Sequence, residues 1–265
     1  MRWWCSARGI AWTWTWRPYL GVWLFVALLG AAYLRLARQP PATPDPLGRW
    51  RARAAVLGLV LLWGLLDWPL GALGAGYLES VHMGQFLGLA FVVPGLLVWA
   101  LPPDWEQRPG LLPRGPWAKV TQPLPAILDF TAIAFLTHLP VVVDALMVTQ
   151  WGSIVLDLTW LAAGAAFWWP VLRRGPLGAA GRLGYTLAGT TAHMGVGMFM
   201  ALAPFPLYRI YELAPPIAHI DPLDDQQRAG GMMMFGDVLI GLGAAAVLVW
   251  LWAREERSRL AAGEP

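Results

Sequence analysis

The sequence predicts an all-α integral membrane protein built as a bundle of seven transmembrane helices. Hydrophobic residues make up 57% of the 265 positions and charged residues only 13%. Several apolar runs reach the roughly 20 residues that a helix needs to cross a hydrocarbon layer of about 30 Å. These runs are continuous, whereas barrel strands would alternate, so helices are the architecture that satisfies the backbone in lipid.

The first half of the chain is predicted to hold three helices. Residues 1–18 form an interfacial segment rich in tryptophan, which prefers the level of the lipid headgroups. Prolines and arginines of the linker 38–53 end the first apolar run, and the glycine-rich residues 74–76 separate the second run from the third. The predicted helices are 19–36, 54–73 and 77–101.

The second half is predicted to hold four helices. Pro140 breaks the hydrogen-bond ladder beside His138 and frees a carbonyl. Asp225, just before the last helix, is interpreted as a helix-start residue that satisfies free N–H groups. The predicted helices are 124–147, 151–172, 181–203 and 230–252, and the membrane domain as a whole is 19–253. The segments outside these helices are a proline-rich connection (102–121), an acidic loop (204–228) and a cytoplasmic polar tail (254–265).

Basic residues orient the predicted bundle. Of the 19 lysines and arginines, 14 lie in the loops after helices one, three and five or in the tail. Because positive charge accumulates in cytoplasmic loops, the N-terminus is predicted outside and the C-terminus in the cytoplasm. The net charge of +3 is not evidence for nucleic-acid binding, since the basic residues lie between apolar runs.

Acids and imidazoles are concentrated in the outer half of the predicted membrane domain. Each would be costly facing lipid, so we expect these side chains to face inward and to pair or line a polar chamber open to the outer face. Glu79, His82 and Phe86 share one helical face because they are spaced by three and four residues. The other such residues of the outer half are Asp67, His138, Asp157, His193 and Asp237, whereas Asp129 alone lies in the inner half.

The chamber residues are of the types that bind copper or zinc. Imidazole and carboxylate suit both metals, and thioethers suit Cu(I). The methionines near His193 are better explained as core packing. No two histidines stand four residues apart, so a metal site would have to be assembled between helices, and the single Cys5 excludes a cysteine cage or an internal disulfide.

Six short motifs follow one another from Trp50 onward. In this order and spacing the chain resembles the CtaG family of cytochrome c oxidase assembly proteins, seven-helix bacterial membrane proteins linked to copper delivery to haem–copper oxidases. The motifs are Asp67-Trp68-Pro69-Leu70, Ser80-Val81-His82-Met83-Gly84-Gln85, His138-Leu139-Pro140, Gly164-Ala165-Ala166-Phe167-Trp168-Trp169-Pro170-Val171, Pro206-Leu207-Tyr208 and Pro222-Leu223-Asp224-Asp225-Gln226-Gln227-Arg228-Ala229-Gly230.

The resemblance implies a multi-pass assembly factor of the bacterial plasma (inner) membrane. An enzyme is not expected, because the sequence shows no nucleophile–base pair and no phosphate-binding loop. The partners of the assembly factor would be haem–copper oxidase subunits or other respiratory membrane proteins in the lipid bilayer, and its cargo would be copper. No nucleic-acid partner is expected. The implied metal residues are His82, His138 and Asp157. Asp67, Glu79, Gln85 and His193 are implied as supporting residues or alternative ligands.

The chain departs from the family pattern at three positions. The family carries His-Met-x-Gln-His on the third helix, and Phe86 occupies the last place here. The family's two histidines on the fifth helix are replaced by Ser153 and Asp157. These replacements, with the 18 tryptophans, leave open an alternative: a metal-free structural or accessory subunit packed against a respiratory membrane complex. A small transporter is a weaker alternative, because Asp129 is the only acid or imidazole of the predicted helices in the inner half of the membrane, and a transport pathway would need more.

Overall fold

The computed structural model describes residues 9–39, 45–105, 116–173 and 176–261, which contain helices and no strand. Residues 1–8 of the predicted interfacial segment and residues 262–265 of the predicted tail lie outside the described residues. A π-helical turn, Gly88–Val92, joins the fourth and fifth helices. The helices are α1 Leu20–Ala37, α2 Gly48–Leu66, α3 Leu70–Gly74, α4 Glu79–Leu87, α5 Val93–Ala100, α6 Pro116–Val120, α7 Pro123–Thr137, α8 Pro140–Leu146, α9 Gln150–Leu172, α10 Ala179–Thr191, α11 Met194–Leu202, α12 Arg209–Glu212 and α13 Pro222–Ala261.

Four helical stretches are long and apolar enough to cross a membrane, which supports an all-helical membrane protein. They are Leu20–Ala37, Glu79–Ala100, Gln150–Leu172 and Pro222–Arg254, and the bent pair α7–α8 makes a fifth if it counts as one span. The other two predicted crossings correspond to α2, whose first turns carry three arginines, and to α10 and α11, which have 13 and 9 residues.

The second predicted helix has different bounds in the structure. We expected one helix over 54–73, but α2 begins at Gly48 and ends at Leu66, and α3 follows after Asp67–Pro69. Arginine is a good helix former, so part of the predicted linker is helical. Pro69 has no backbone N–H and disfavours helical geometry before it, which places the break.

The third predicted helix is one span with a widened turn. The expected continuous helix 77–101 becomes α4, the π-helical turn and α5. Pro94 donates no hydrogen bond to the turn before it. The Trp168 indole donates to the Phe91 carbonyl at 2.7 Å, and Gly164 allows close packing, since a Cβ there would lie 2.1 Å from the Ala90 carbonyl oxygen. The Gly164–Trp168 motif therefore packs α9 against the widened turn.

Two further predicted helices are broken at a histidine. The predicted break at Pro140 is confirmed: α7 and α8 are bent by 73° with His138 and Leu139 between them. The sixth predicted helix is divided into α10 and α11 at Ala192 and His193. Both histidines thus lie at irregular backbone, where a helix ladder is interrupted.

The last helix is longer than predicted, and its start residue is a different aspartate. Helix α13 begins at Pro222 rather than 230 and continues to Ala261, so the described part of the predicted tail is helical. Asp221 accepts hydrogen bonds from the N–H groups of Leu223 and Asp224 at 2.9 and 3.3 Å. Asp225 does cap a helix, as predicted, but the prediction that it caps its own helix was wrong. It caps α4 instead, since it accepts from the N–H groups of Glu79 and Ser80 at 2.6 and 3.2 Å.

Candidate functional site

Three histidines from separate parts of the chain converge on Phe86. We call His82, His138 and His193, with Phe86 and Trp160, the histidine cluster. The Phe86 ring lies 4.7 Å from the His138 ring, 5.3 Å from the Trp160 ring and 6.5 Å from the His193 ring, between centroids. The three histidines are only 4%, 6% and 1% exposed, respectively. The expectation that these imidazoles face inward is confirmed.

His138 lies at the bend between α7 and α8 and has a defined tautomer. Its Nδ1 is 2.6 Å from the Ala134 carbonyl oxygen. Since a carbonyl only accepts, Nδ1 carries the proton and Nε2 carries a lone pair. That Nε2 is buried and has no hydrogen-bond partner among the described residues. His138 therefore presents an available metal-binding nitrogen to the interior.

His82 lies on α4 and faces the same interior. Its ring is 5.0 Å from the Trp160 ring, which in turn is 6.0 Å from the His138 ring, so Trp160 contacts both imidazoles. The His82 Nε2 atom is also buried without a described hydrogen-bond partner. Buried nitrogen atoms without a partner are rare in native structures and call for a water or an ion.

His193 is paired with an acid on α13. Its Nδ1 lies 3.7 Å from an Asp237 carboxylate oxygen, and the two side chains are 1% and 0% exposed. The aromatic rings of Phe86, Phe91 and Phe130 surround His193. The two residues therefore lie within ion-pair distance, but neither the His193 ring nitrogens nor the Asp237 oxygens have a hydrogen-bond partner among the described residues.

A segment of the loop between α11 and α13 closes the cluster. The Tyr208 hydroxyl donates to the His138 carbonyl at 2.8 Å, and the Tyr211 hydroxyl donates to the Gly74 carbonyl at 2.7 Å. Burial, with the nearby carboxylates of Glu79 and Asp144, raises the pKa of Tyr208, which keeps its hydroxyl protonated. Asp144 holds the segment by accepting from the Ile210 N–H at 3.0 Å. Helix α12 is thereby fixed above the histidines.

Two of the predicted supporting residues, Asp67 and Gln85, have hydrogen-bond partners nearby. Asp67 accepts from the Tyr19 N–H at 2.6 Å and from the Trp23 indole at 2.7 Å, which ties α2 to the start of α1. Gln85 donates to the Leu65 carbonyl at 2.7 Å. Glu79 is 3% exposed, and its Oε1 has no hydrogen-bond partner among the described residues. Glu79 is thus the one of these three whose side chain remains available.

Asp157 lies in a separate place. It lines a groove of about 690 Å³ together with Ser153 and residues at the start of α1. No ring contact or hydrogen bond joins it to the histidine cluster in the described part of the chain. Within the same ranges, no three histidine, cysteine, aspartate or glutamate side chains are arranged to hold a metal ion. The three-residue site of His82, His138 and Asp157 therefore stays a prediction, with only its two histidines in one cluster.

Three residues of the site were given no role from the sequence, although Tyr208 lies in the Pro206-Leu207-Tyr208 motif. Trp160, Tyr208 and Tyr211 are 1%, 3% and 4% exposed and contact the histidines or their backbone. One signal was available for Trp160: it lies in the interior of an apolar helix, away from the headgroup level that tryptophan usually prefers. The tyrosines lie in a loop whose docking depends on long-range contacts.

Comparison with known proteins gives one family and two relatives. The sequence model described as cytochrome c oxidase caa3 assembly factor matches residues 9–255. Two uncharacterized proteins, one of Mycobacterium bovis and one of Mycobacterium tuberculosis, are each 26% identical to the chain over 272 residues. Each match covers 90% of this chain and 40% of the relative, so the chain spans less than half the length of these relatives. No solved structure matches the chain.

Proposed function

Since the chain belongs to the cytochrome c oxidase caa3 assembly factor family, we propose that it assists assembly of a haem–copper oxidase by holding copper as cargo at His82 and His138. One observation carries this proposal: the Nε2 atoms of both imidazoles are buried together without a described partner. Imidazole nitrogen suits copper. Asp157 is omitted from the proposed pair because it lies in the groove at the start of α1.

The surrounding residues have defined tasks in this proposal. The Ala134 carbonyl orients the His138 ring, as the partners of metal-binding histidines commonly do. Trp160 holds the two rings on one side, and the tyrosine segment excludes water from above. Glu79 lies one turn before His82 on the same face and offers a carboxylate to a cation that approaches from the loop side. No catalytic step is proposed.

The proposal includes an arrangement in the membrane. Seven crossings of the bacterial plasma membrane are proposed, with α2 and the α10–α11 pair added to the five apolar spans. The N-terminus is outside and the C-terminus is in the cytoplasm, so the histidine cluster lies nearer the outer face. Oxidase subunits in the same bilayer would receive the copper there.

A metal-free accessory role is the second candidate function. The packing of Phe86 favours it, because this ring occupies the centre of the cluster where the family has a histidine. The described residues also lack a group of three metal-ligating side chains. In this alternative the fold acts through its surface against a respiratory membrane complex.

The experiment is a measurement of the copper content of the detergent-purified protein after loading with Cu(I) under reducing conditions. We expect about one copper per chain, lost in the His82→Ala/His138→Ala double variant and in a bulkier His82→Gln/His138→Gln variant. His219→Ala, which removes an exposed histidine, is the control and should keep its copper. Full copper in both double variants would refute the assigned pair, and no copper in the wild type would favour the metal-free role.

A further inference from the structure

The groove that contains Asp157 lies between the starts of α1 and α9. Its volume is about 690 Å³, within the range of specific binding pockets. Its walls are mainly apolar, and the polar side chains include Ser153 and Asp157. Arg17 and Trp16 lie at the end near the start of α1. We call this feature the α1–α9 groove.

Asp157 has no partner in the described structure. No hydrogen bond or ion pair reaches its carboxylate from the described residues. It is the eighth residue of α9, about 10 Å along the helix from Gln150 at 1.5 Å per residue. A carboxylate at such a depth in a membrane helix is energetically unfavourable unless a cation or a hydrogen-bond donor meets it.

The groove opens toward the membrane rather than toward the protein core. Leu36 is the only buried residue of α1, so the α1 wall is largely uncovered. On the α9 side, Trp151, Val155 and Leu158 are 78%, 52% and 41% exposed. A cation that reaches Asp157 can therefore come laterally, from within the bilayer.

We propose that the α1–α9 groove receives a lysine or arginine side chain from a transmembrane helix of a partner protein, and that this cation pairs with Asp157. The proposal rests on the proposed function, in which the chain engages oxidase subunits within the membrane. It names a docking surface and the chemistry of the partner: an apolar helix with one basic residue at the depth of Asp157.

A basic residue on a helix fits this position better than a lipid headgroup does. Headgroup amines lie at the level of Trp151 and Gln150, roughly 10 Å from Asp157 by the helical rise. A side chain carried on a neighbouring helix approaches through the open α1–α9 face instead.

The test uses the full-length protein in nanodiscs of a neutral lipid without amines, with model transmembrane peptides as probes. The peptides are leucine-alanine helices of about 20 residues. One carries a single lysine at the depth of Asp157, and its matched partner carries glutamine there. Energy transfer between dyes on the protein and the peptide reports binding. We expect the wild type to bind the lysine peptide about tenfold more tightly than the glutamine peptide.

Two variants decide the assignment. Asp157→Asn should abolish the preference for lysine, whereas Asp129→Asn, which neutralises an exposed acid on α7, should retain it. Equal binding of both peptides by the wild type, or an unchanged preference in Asp157→Asn, would overturn the proposal. Loss of the preference when phosphatidylethanolamine replaces part of the neutral lipid would also overturn it, because a lipid amine would then be the occupant.

Copper content separates this proposal from the proposed function. Asp157→Asn should keep the copper content of the wild type, because the groove lies apart from the histidine cluster. A fall in copper content would show Asp157 to be a ligand and would refute the docking role. Conversely, a wild type that binds no copper but prefers the lysine peptide would refute the copper proposal alone.

Discussion

At the scale of single residues, the histidine cluster is defined by Phe86. Its ring contacts His138 at 4.7 Å and His193 at 6.5 Å, between centroids, and it is 1% exposed. A phenylalanine supplies packing there but no ligand atom, so the available nitrogens of the cluster are those of its imidazoles: the Nε2 atoms of His82, His138 and His193 are all buried without a described hydrogen-bond partner. The identity of residue 86 therefore controls how many metal ligands the cluster offers.

We predict that Phe86→His raises the affinity of the cluster for Cu(I) by about tenfold or more, equivalent to ~1.4 kcal/mol. The reason is that an added imidazole at this position would face His138. Affinity is measured by competition with a Cu(I) chelator. The matched variant Phe86→Leu removes the ring without adding a ligand and should not gain affinity. Equal affinities for the two variants would contradict the prediction.

A second prediction concerns Asp67, whose two carboxylate oxygen atoms both accept a hydrogen bond. Asp67→Asn replaces one acceptor with an NH₂ group that faces the Tyr19 N–H or the Trp23 indole. Because a buried donor is left unsatisfied, we expect a loss of about 1–3 kcal/mol in the free energy of unfolding. Unfolding in mixed detergent micelles measures it. Asp129→Asn, at an exposed position, is the control, and equal losses in both variants would refute the role of Asp67.

At the scale of elements, aspartates on one helix satisfy the start of another. Asp67 follows α2 and binds the Tyr19 N–H before α1, Asp144 on α8 binds the Ile210 N–H of α12, and Asp225 on α13 binds the first N–H groups of α4. The first N–H groups of a helix have no partner within it, and a carboxylate also complements the helix dipole. These carboxylates therefore join pairs of helices by hydrogen bonds at the helix ends.

We predict that Asp225→Ala weakens the start of α4, with a loss of about 1–2 kcal/mol in stability. Hydrogen exchange of the Glu79 and Ser80 amides should accelerate, since Asp225 accepts from both. Asp224→Ala is a matched control: it removes the same charge one residue earlier, at an exposed position. If exchange of these two amides is as fast in the control as in Asp225→Ala, the capping role is wrong.

At the scale of the whole molecule, the exposed surface is apolar on several helices. Leu28 of α1, Val60 of α2 and Phe235 of α13 are 60%, 54% and 67% exposed. A surface of this kind suits lipid rather than water. Arg51 and Arg173 gather at the end of α5, where both bind the Leu101 carbonyl at 3.2 Å. Their positive charges complement the negative end of the helix dipole and mark one side of the molecule.

The proposed orientation of the chain in the membrane can be tested by labelling cysteines. In a Cys5→Ser background, a cysteine at Val148 should react with a membrane-impermeant maleimide on intact cells, because the connection between α8 and α9 is predicted outside. A cysteine at Glu256, an exposed position near the end of α13, should react only after the cells are permeabilised. The opposite pattern would reverse the proposed orientation, and labelling of both positions on intact cells would contradict the crossing number.

Composition and apolar run length determined the fold class, and the motif order from Asp67 to Gly230 determined the family, because both depend on local sequence. Proline chemistry located the break beside His138 for the same reason. Only the tertiary structure decided that Asp225 caps α4, that Asp157 faces a groove and that Phe86 lies among three histidines. These contacts join residues far apart in the chain, and helical spacing assigns a side chain to a face of its own helix without specifying which helix packs against that face.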